Sequence, residues 1–556
     1  MDHQRLAQLL FPDITTTPED IEKMYPPRNL PEGAKVTRMA PSPTGFMHLG
    51  NLFSAIVGER LAHQSNGVFF LRIEDTDLKR AVEGGVEKII NVFNHYGLNF
   101  DEGATIDGDN GAYGPYRQRQ RAKIYQTFAK QLVERGLAYP CFCTEEELTE
   151  MREKQQEMKI NFGYYGEWAK CRNLSFEEIE ANIKAGKPYV LRFRSEGDPN
   201  KRFTHHDLVK GDIELPENDQ DIVLLKSDGI PTYHFAHVVD DHLMQTTHVV
   251  RGEEWLATLN IHLQLFRTMG WKAPKYVHTA QLMKMDGGSK RKLSKRKDPE
   301  LALDFYNAEG YPVPSVLEYL MTLLNSNFED WRMANPTAPM NDFQFTTKKM
   351  SNSGSLFDID KLKDVSKNTI SVMSADEVYN EVTTWAKDFD QQLYSLLTAD
   401  EQKAKAIFAI GRGGAKPRKD LAVWSEVKDY VAFFYEELFT PATEYPENIS
   451  KEDTLAILNQ YKGIYSAADD GEVWFNKVRE MGEALGFAGK PKDYKKNPDQ
   501  FKGHVGDVSQ VIRLAITGRT NSPDLCSVMQ ILGEETCQRR LSQAIETCLL
   551  YTSPSP

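Results

Sequence analysis

Residues 36 to 77, VTRMAPSPTGFMHLGNLFSAIVGERLAHQSNGVFFLRIEDTD, constrain the fold more than any other stretch of the chain. Val36 to Ala40 is a short run that enters Pro41-Ser42-Pro43-Thr44-Gly45, where two prolines and a glycine stop a helix and force a turn. Leu49, Leu52, Phe53, Ile56, Val57 and Leu61 then recur at helical spacing, and Gly67 precedes the solid apolar run Val68 to Leu71. Strand, turn, helix and strand in this order make one βαβ unit of a buried parallel sheet. Such sheets bind ligands at the carboxyl ends of their strands, and there His48 and Gly50 open the helix. A helix start offers free N–H groups and the positive end of a dipole, which suits a phosphate. The stretch contains neither GxGxxG nor GxxxxGK[ST], so a dinucleotide fold and a P-loop are disfavoured, and a purely structural His48 is the alternative at this point.

A chain of 556 residues is too long for one core and should split into three or four domains. With 40% hydrophobic and 26% charged residues it has an ordinary globular composition. No apolar stretch approaches the ~20 residues of a membrane helix, and MDHQRLAQLLFPD lacks a basic segment followed by an apolar one. The expectation is a cytoplasmic protein without a membrane partner. Six cysteines in so long a chain are no disulfide framework, in keeping with a reducing compartment. The net charge of −13 argues against indiscriminate nucleic-acid binding and leaves room for a local basic surface.

Residues 1–35 hold five prolines without a sustained period and read as a short helix and an extended lead-in with no chemistry. Residues 36–113 form the first half of the nucleotide fold. Arg117, Arg119 and Arg121 crowd the start of the next helix, as a solvated face or as phosphate-backbone contacts. Cys141 and Cys143, with Cys171 downstream, have the residue types of a zinc site, but only Tyr164, Tyr165 and Asn173 stand near Cys171, none a usual fourth ligand. Packed thiols beside a helix capped by Thr144 are therefore favoured over zinc. Tyr189 to Phe193 and Asp221 to Leu225 look like strands of a region, residues 114–225, inserted into the fold.

The parallel-sheet pattern returns in 226–285, with Thr232 to Asp241, Thr247 to Arg251 and Lys275 to His278 as β-type runs and Trp255 to Met269 as an amphipathic helix. MDGGSKRKLSKRKDPE follows, a glycine-bearing loop crowded with lysine and arginine, best read as a triphosphate clamp for its place just past the sheet. Helical patterns dominate from about residue 301, among them Val316 to Leu324, Ala375 to Leu397, Glu426 to Leu438, Trp474 to Leu485 and Val508 to Ala515. The basic connections Arg412 to Lys419 and Gly518 to Pro523 are RNA-backbone contacts or ordinary loops. Residues 548–556, CLLYTSPSP, break the last helix without adding a pattern and read as an appendage foreign to the chain.

HLGN at His48 to Asn51, RIEDTD at Arg72 to Asp77 and KLSKR at Lys292 to Arg296 occur in one order, and together they resemble the class I aminoacyl-tRNA synthetases. RMAPSPTGFMHLG, PTYHFAHVVDDHLM, VVRGEEWL and AITGRTNSP narrow the likeness to the bacterial-type glutamyl-tRNA synthetases, over Val36 to about Glu546. The resemblance implies an α/β fold: a split Rossmann-type catalytic domain with an inserted acceptor-binding domain, a stem-contact region in 286–375 and an all-helical anticodon-binding domain in 376–547. It implies a ligase that activates L-glutamate with Mg-ATP to glutamyl-adenylate and passes the glutamyl group to the terminal adenosine of tRNA(Glu), as a monomer. Charging of tRNA(Gln) as well is the alternative, and a catalytically idle tRNA-binding relative is the rival of another class. A glutaminyl enzyme is disfavoured because its relatives end in β-barrels.

By the same likeness His48, Gly50, Asn51, Lys292, Ser294 and Lys295 carry catalysis, and Glu254, Trp255 and Leu293 join His48, Gly50 and Lys295 at ATP. Asn51 departs from the second histidine of the usual HIGH signature, which leaves its part open. Glutamate brings two carboxylates and one ammonium, so its pocket wants two cations and one anion, a count that Arg38, Arg251 and Glu74 meet. Ala40, Ser42 and Tyr233 line that pocket by similarity, and His237 stands where the family usually has asparagine, with a change in pH dependence or selectivity as the expected effect.

Overall fold

The lead-in carries two short helices, α1 (His3–Leu10) and α2 (Pro18–Met24), started by the side chains of Asp2 and Thr17 as N-caps. The structure, a computed structural model that describes residues 1–550, then forms the expected βαβ unit from β1 (Val36–Met39), α3 (Leu49–Gln64) and β2 (Val68–Leu71). The two strands pair in parallel, Val36 opposite Val68, and every residue of both is buried, as a sheet covered on both faces requires. All six apolar residues of the α3 stripe are buried. At Gly67 a Cβ would lie 1.8 Å from Lys35 O, so only glycine lets the chain leave the helix and enter β2 there. After α4 (Gly85–His95), β3 (Glu102–Ala104) and β4 (Asp109–Asn110) complete a sheet of order β1-β2-β3-β4.

The inserted region begins with α5 (Ala122–Glu134) and continues through β5 (Ala138–Cys141), α6 (Glu145–Glu157), α7 (Phe176–Lys184), β6 (Val190–Phe193), β7 (Arg202–Asp207), β8 (Gly211–Pro216) and β9 (Val223–Leu225). Strands β5, β6 and β9 form an antiparallel sheet, and β7 and β8 a separate hairpin. The second half of the nucleotide fold consists of α8 (Tyr233–Leu243), β10 (His248–Gly252), α9 (Leu259–Met269) and β11 (Lys275–Thr279), with β10 parallel to β11. The Thr247 N–H donates to Val36 O at 2.9 Å, which sets this half beside β1. β12 (Leu282–Asp286), β13 (Ser289–Lys292) and, far downstream, β14 (Ser355–Leu356) form a small sheet.

Thr232 to Asp241, expected as a strand, is the helix α8. Phe235, Ala236, His237, Val238, Val239, Asp240 and Asp241 are all buried, so no polar face marks a helical period and the run imitates a buried strand. Trp255 belongs to a 3₁₀ turn, Glu253–Thr258, ahead of α9. Arg121 is another correction: it is fully buried and cannot meet a phosphate backbone. Its Nε donates to Asp240 Oδ1 at 2.6 Å, Tyr125 and Gln118 donate to Asp240 Oδ2, and Arg72 bonds the adjacent Asp241. First half, insert and second half of the split domain thus meet in one buried ionic network.

Two compact units divide the chain, Met1–Phe305 with Leu317–Asp358, and Tyr306–Val316 with the residues from Ile359 onward. The second is helical, and its core gathers Val382, Leu397, Ile407, Leu458, Val511 and Leu541. Ser374 and Glu377 close its 375–389 helix with a reciprocal capping box. Ala375 to Leu397 proves to be two helices broken at Asp390, and Glu426 to Leu438 holds only a short one, Val427–Val431, between 3₁₀ turns. The last helix, Glu534–Leu550, continues through Cys548, and the rest of the suspected appendage, Tyr551 to Pro556, lies outside the described residues. No helix of the described chain is long and apolar enough to cross a membrane.

Candidate active site

A cavity of about 560 Å³ opens at the carboxyl ends of β1 and β10. Helix α3 starts at its wall with His48 as N-cap residue, and Asn51 Oδ1 accepts from the His48 N–H at 3.0 Å, which closes the first turn. Asn51, the residue of uncertain part, is thus a cap. A Cβ at Gly50 would stand 3.0 Å from His48 Nδ1, so glycine lets the imidazole fold against the helix start. Burial lowers the His48 pKa from its ordinary value of 6.5, Glu254 opposing and Lys292 assisting, so the ring meets a ligand as a neutral group near pH 7.

Of the residues expected here, Arg38, Ala40, Ser42, Glu74, Tyr233 and Arg251 line the cavity. His48, Gly50, Asn51, Glu254, Trp255, Lys292 and Leu293 line it too. Lys295, Ser294 and His237 do not. Lys295 Nζ lies 4.3 Å from the centre of the Phe46 ring, itself part of the cavity wall, and the Ser294 N–H donates to Asp298 Oδ2 at 2.8 Å. His237 is fully buried behind Tyr233, donating from Nδ1 to Asp241 at 2.5 Å while Nε2 accepts from Tyr276 at 2.9 Å. Burial drives its pKa down to about 3, so it is a neutral link in the wall.

The charge count read from sequence needs amending. Arg38 already donates two hydrogen bonds to Asp241, at 2.8 and 3.1 Å, and Arg72 bridges Asp241 and Glu74. Burial raises the pKa of Glu74 despite Arg72 and Arg38. Burial also works against a charge on Asp241, but Arg38 and Arg72 outweigh it and hold the carboxyl well below its usual range. Arg251 differs from Arg38. Its guanidinium donates to Tyr233 Oη at 3.2 Å, His262 Nδ1 at 3.1 Å and His278 Nε2 at 3.0 Å, and its buried Nη2 has no partner among the described residues. A buried donor left unpaired is costly, and Arg251 belongs to the cavity wall, which makes it the candidate to meet an anion there.

Phe46, Arg72, Asp241, His262 and His278 were not singled out from the sequence. Phe46, Arg72 and Asp241 stood inside quoted motifs, but His262 and His278 occupy an ordinary helix and strand, and only the fold brings them against Arg251 behind the cavity wall.

The three cysteines converge away from this cavity, their sulfurs within 4.8 Å of one another. Cys143 Sγ lies 3.8 Å from Cys171 Sγ, and Tyr164 Oη lies 3.4 Å from Cys141 Sγ and 3.5 Å from Cys143 Sγ. Tetrahedral zinc with Zn–S of ~2.3 Å and Zn–O of ~2.0 Å has S···S edges of ~3.8 Å and S···O edges of ~3.5 Å. The Tyr164 phenol joins the cluster at distances of that size from Cys141 and Cys143.

Residues 35–364 match the family described as "tRNA synthetases class I (E and Q), catalytic domain", and residues 492–545 match "Anticodon binding domain". The chain is 54% identical to the glutamate–tRNA ligase of Acetivibrio thermocellus, over 98% of this chain and all of that protein. It is 51% identical to that of Clostridium perfringens strain 13, over 97% of this chain and all of that protein. A crystal structure of a glutamate tRNA ligase from Elizabethkingia meningosepticum in complex with its amino acid superposes with a TM-score of 0.75 at 28% identity, covering 92% of this chain and 99% of that one.

Proposed function

The chain belongs to the class I aminoacyl-tRNA synthetases as a glutamate–tRNA ligase, and from that premise we propose how its residues divide the reaction. L-Glutamate occupies the cavity, with Arg251 Nη2 taking one of its carboxylates and Arg38 contributing charge already shared with Asp241. Glu74, with Ser42 beside it, receives the ammonium. ATP enters as its magnesium complex, the metal neutralising phosphate charge when bound. The start of α3, neutral His48 and Gly50 accept the phosphates, and Glu254, Trp255 and Leu293 lie along the nucleotide. An oxygen of the α-carboxylate attacks the α-phosphate and pyrophosphate leaves. Lys292, and Lys295 once it parts from Phe46, meet the charge that develops on that leaving group. A ribose hydroxyl of the tRNA's terminal adenosine then displaces AMP. No side chain is required as a nucleophile, so positioning and charge carry the chemistry.

The observation that carries this reading is one cavity lined both by Arg251, whose Nη2 is unpaired among the described residues, and by a helix start. The test charges purified tRNA(Glu) and tRNA(Gln) with labelled glutamate, with labelled glutamine as control. Glutamate on tRNA(Glu) alone is expected. Glutamate on both identifies a non-discriminating enzyme, and charging with glutamine overturns the pocket assignment.

Cys141, Cys143, Cys171 and Tyr164 fit a structural zinc better than packed thiols do. The distances among their donor atoms support that reading against the expectation from spacing alone.

A further inference from the structure

Unlike Arg38, Arg251 has no carboxylate partner among the described residues, and its orientation comes instead from histidines. A guanidinium has only donors, so the ring nitrogens it meets must be bare acceptors. For His278 this demands a proton on Nδ1 and none on Nε2, which lies 3.0 Å from Arg251 Nε. The group that selects this tautomer is Asp207, at the end of β7 in the inserted region: its Oδ2 accepts from His278 Nδ1 at 2.6 Å. Asp207 is itself held in one orientation, because Oδ1 accepts the N–H groups of Val209 and Lys210 at 2.9 and 2.8 Å. Asp207 and His278 are both fully buried, and His278 lies flat on Tyr276, the ring centres 5.6 Å apart. Neither touches the cavity. On the other side His262 Nδ1 accepts from Arg251, and His262 Nε2 faces His234 Nδ1 at 2.8 Å.

We propose that Asp207 and His278 are positioning residues for the substrate-binding Arg251, with Asp207 fixing the tautomer through which His278 holds the guanidinium so that Nη2 faces the substrate carboxylate. The proposal rests on the assignment of Arg251 to glutamate binding. Its consequence is that the inserted region helps set the affinity for the amino acid through a chain of two hydrogen bonds. In Asp207→Asn the amide oxygen keeps the backbone N–H groups of 209 and 210, at 2.9 and 2.8 Å, over the longer bond that Oδ2 also accepts from the His278 backbone N–H at 3.3 Å, and its NH₂ then faces His278. That NH₂ would turn Nδ1 into an acceptor and put a proton on Nε2, against the Arg251 N–H. An amide behind a hydrogen-bonded histidine installs the wrong tautomer in the same way in serine proteases.

The test compares the wild type with Asp207→Asn, His278→Gln and the double variant, measuring KM for glutamate and for ATP in charging of tRNA(Glu). A glutamine side chain places its amide oxygen near the position of Nε2, where it accepts from Arg251 without needing a tautomer. Asp207→Asn should raise the KM for glutamate by about thirtyfold and leave that for ATP unchanged. His278→Gln should stay within about threefold of the wild type, and the double variant should match His278→Gln. An unchanged glutamate KM in Asp207→Asn, a parallel rise in both KM values, or a double variant impaired beyond His278→Gln overturns the proposal. Should Asp207→Asn not fold, the last comparison decides alone. A wild type that does not charge tRNA(Glu) with glutamate overturns the function reading and the proposal with it, whereas a wild type that charges beside an unaffected Asp207→Asn overturns only the proposal.

Discussion

His237 lies face to face with Tyr233, the ring centres 5.6 Å apart and the planes 6° from parallel, and it reaches the cavity only through that ring. A residue so placed supports the wall and does not read the substrate. His237→Asn should keep a partner for Asp241 but leave the buried Tyr276 hydroxyl unpaired, at a cost of about 1–3 kcal/mol in stability. The glutamate KM should rise less than tenfold and the preference over glutamine should hold. Amino-acid competition in the charging assay checks this, and acceptance of glutamine would show that His237 selects after all.

Lys295 Nζ lies over the ring of Phe46. Removing its charge should cost the transition state about 2.7–4 kcal/mol, the scale for a lost charge-stabilising donor. Lys295→Ala is therefore expected to lose 10²- to 10³-fold in kcat with little change in the KM for glutamate. Stopped-flow adenylate formation separates the two, and a normal kcat would remove Lys295 from the reaction.

Burial holds His237 at about 3 and both His234 and His248 at about 4, each below its unfolded value of 6.5. Their neutral forms are the folded forms, so the stability they contribute is complete above pH 6.5 and is lost as pH falls towards 4. The slope is about 1.4 kcal/mol per pH unit for each group. His63 runs the other way: its hydrogen bond to Glu59 raises it to about 8, giving stability below pH 6.5 that is lost as pH rises through 8. Three groups outweigh one, and the urea midpoint at pH 5 should lie below that at pH 7. An equal or higher midpoint at pH 5 refutes it.

Asp240 is buried and accepts from Arg121, Tyr125 and Gln118 at once. Asp240→Ala strands the Arg121 guanidinium in the interior, and the expected loss is about 3–5 kcal/mol. Arg121→Met with Asp240→Leu should recover much of it, because it removes both charges. Thermal melts of the three proteins measure the difference, and a mild effect of the single change would mean that water reaches the site.

If Tyr164 completes a zinc site, the purified protein carries one zinc per chain by elemental analysis. Tyr164→Phe should speed its loss to a chelator severalfold, and Cys143→Ser should abolish binding. A metal-free preparation from zinc-replete medium, with all three thiols reacting with a thiol reagent after unfolding, identifies packed cysteines instead.

The local pattern carried the first βαβ unit because β2 is a solid apolar run, the prolines and glycine after β1 mark its turn, and the helix has one clear period. The same rule misread α8, where burial all round erased the polar face that separates a helix from a strand. Site residues split along similar lines. Arg38, His48 and Arg251 sit at the ends of strands or the start of a helix within motifs and could be named from the sequence. Asp207 and His278 are 71 residues apart, and neither spacing nor composition announces that they touch. The charge count failed for a related reason, since a sequence lists charges without showing that Arg38 is already paired. Tyr164 was in view beside Cys171 and set aside because a phenol is no usual zinc ligand, and only the fold shows its hydroxyl against the cysteine sulfurs.

The edge of β1 is closed by a residue 211 positions downstream, where Thr247 meets Val36. On a ribosome adding ~5–20 residues per second, roughly 10–40 seconds pass between the two. For that interval the first half of the sheet has been made while its neighbour has not, and its unpaired edge is open to other nascent chains. The inserted region therefore also sets how long the youngest form of the chain must be kept from aggregating.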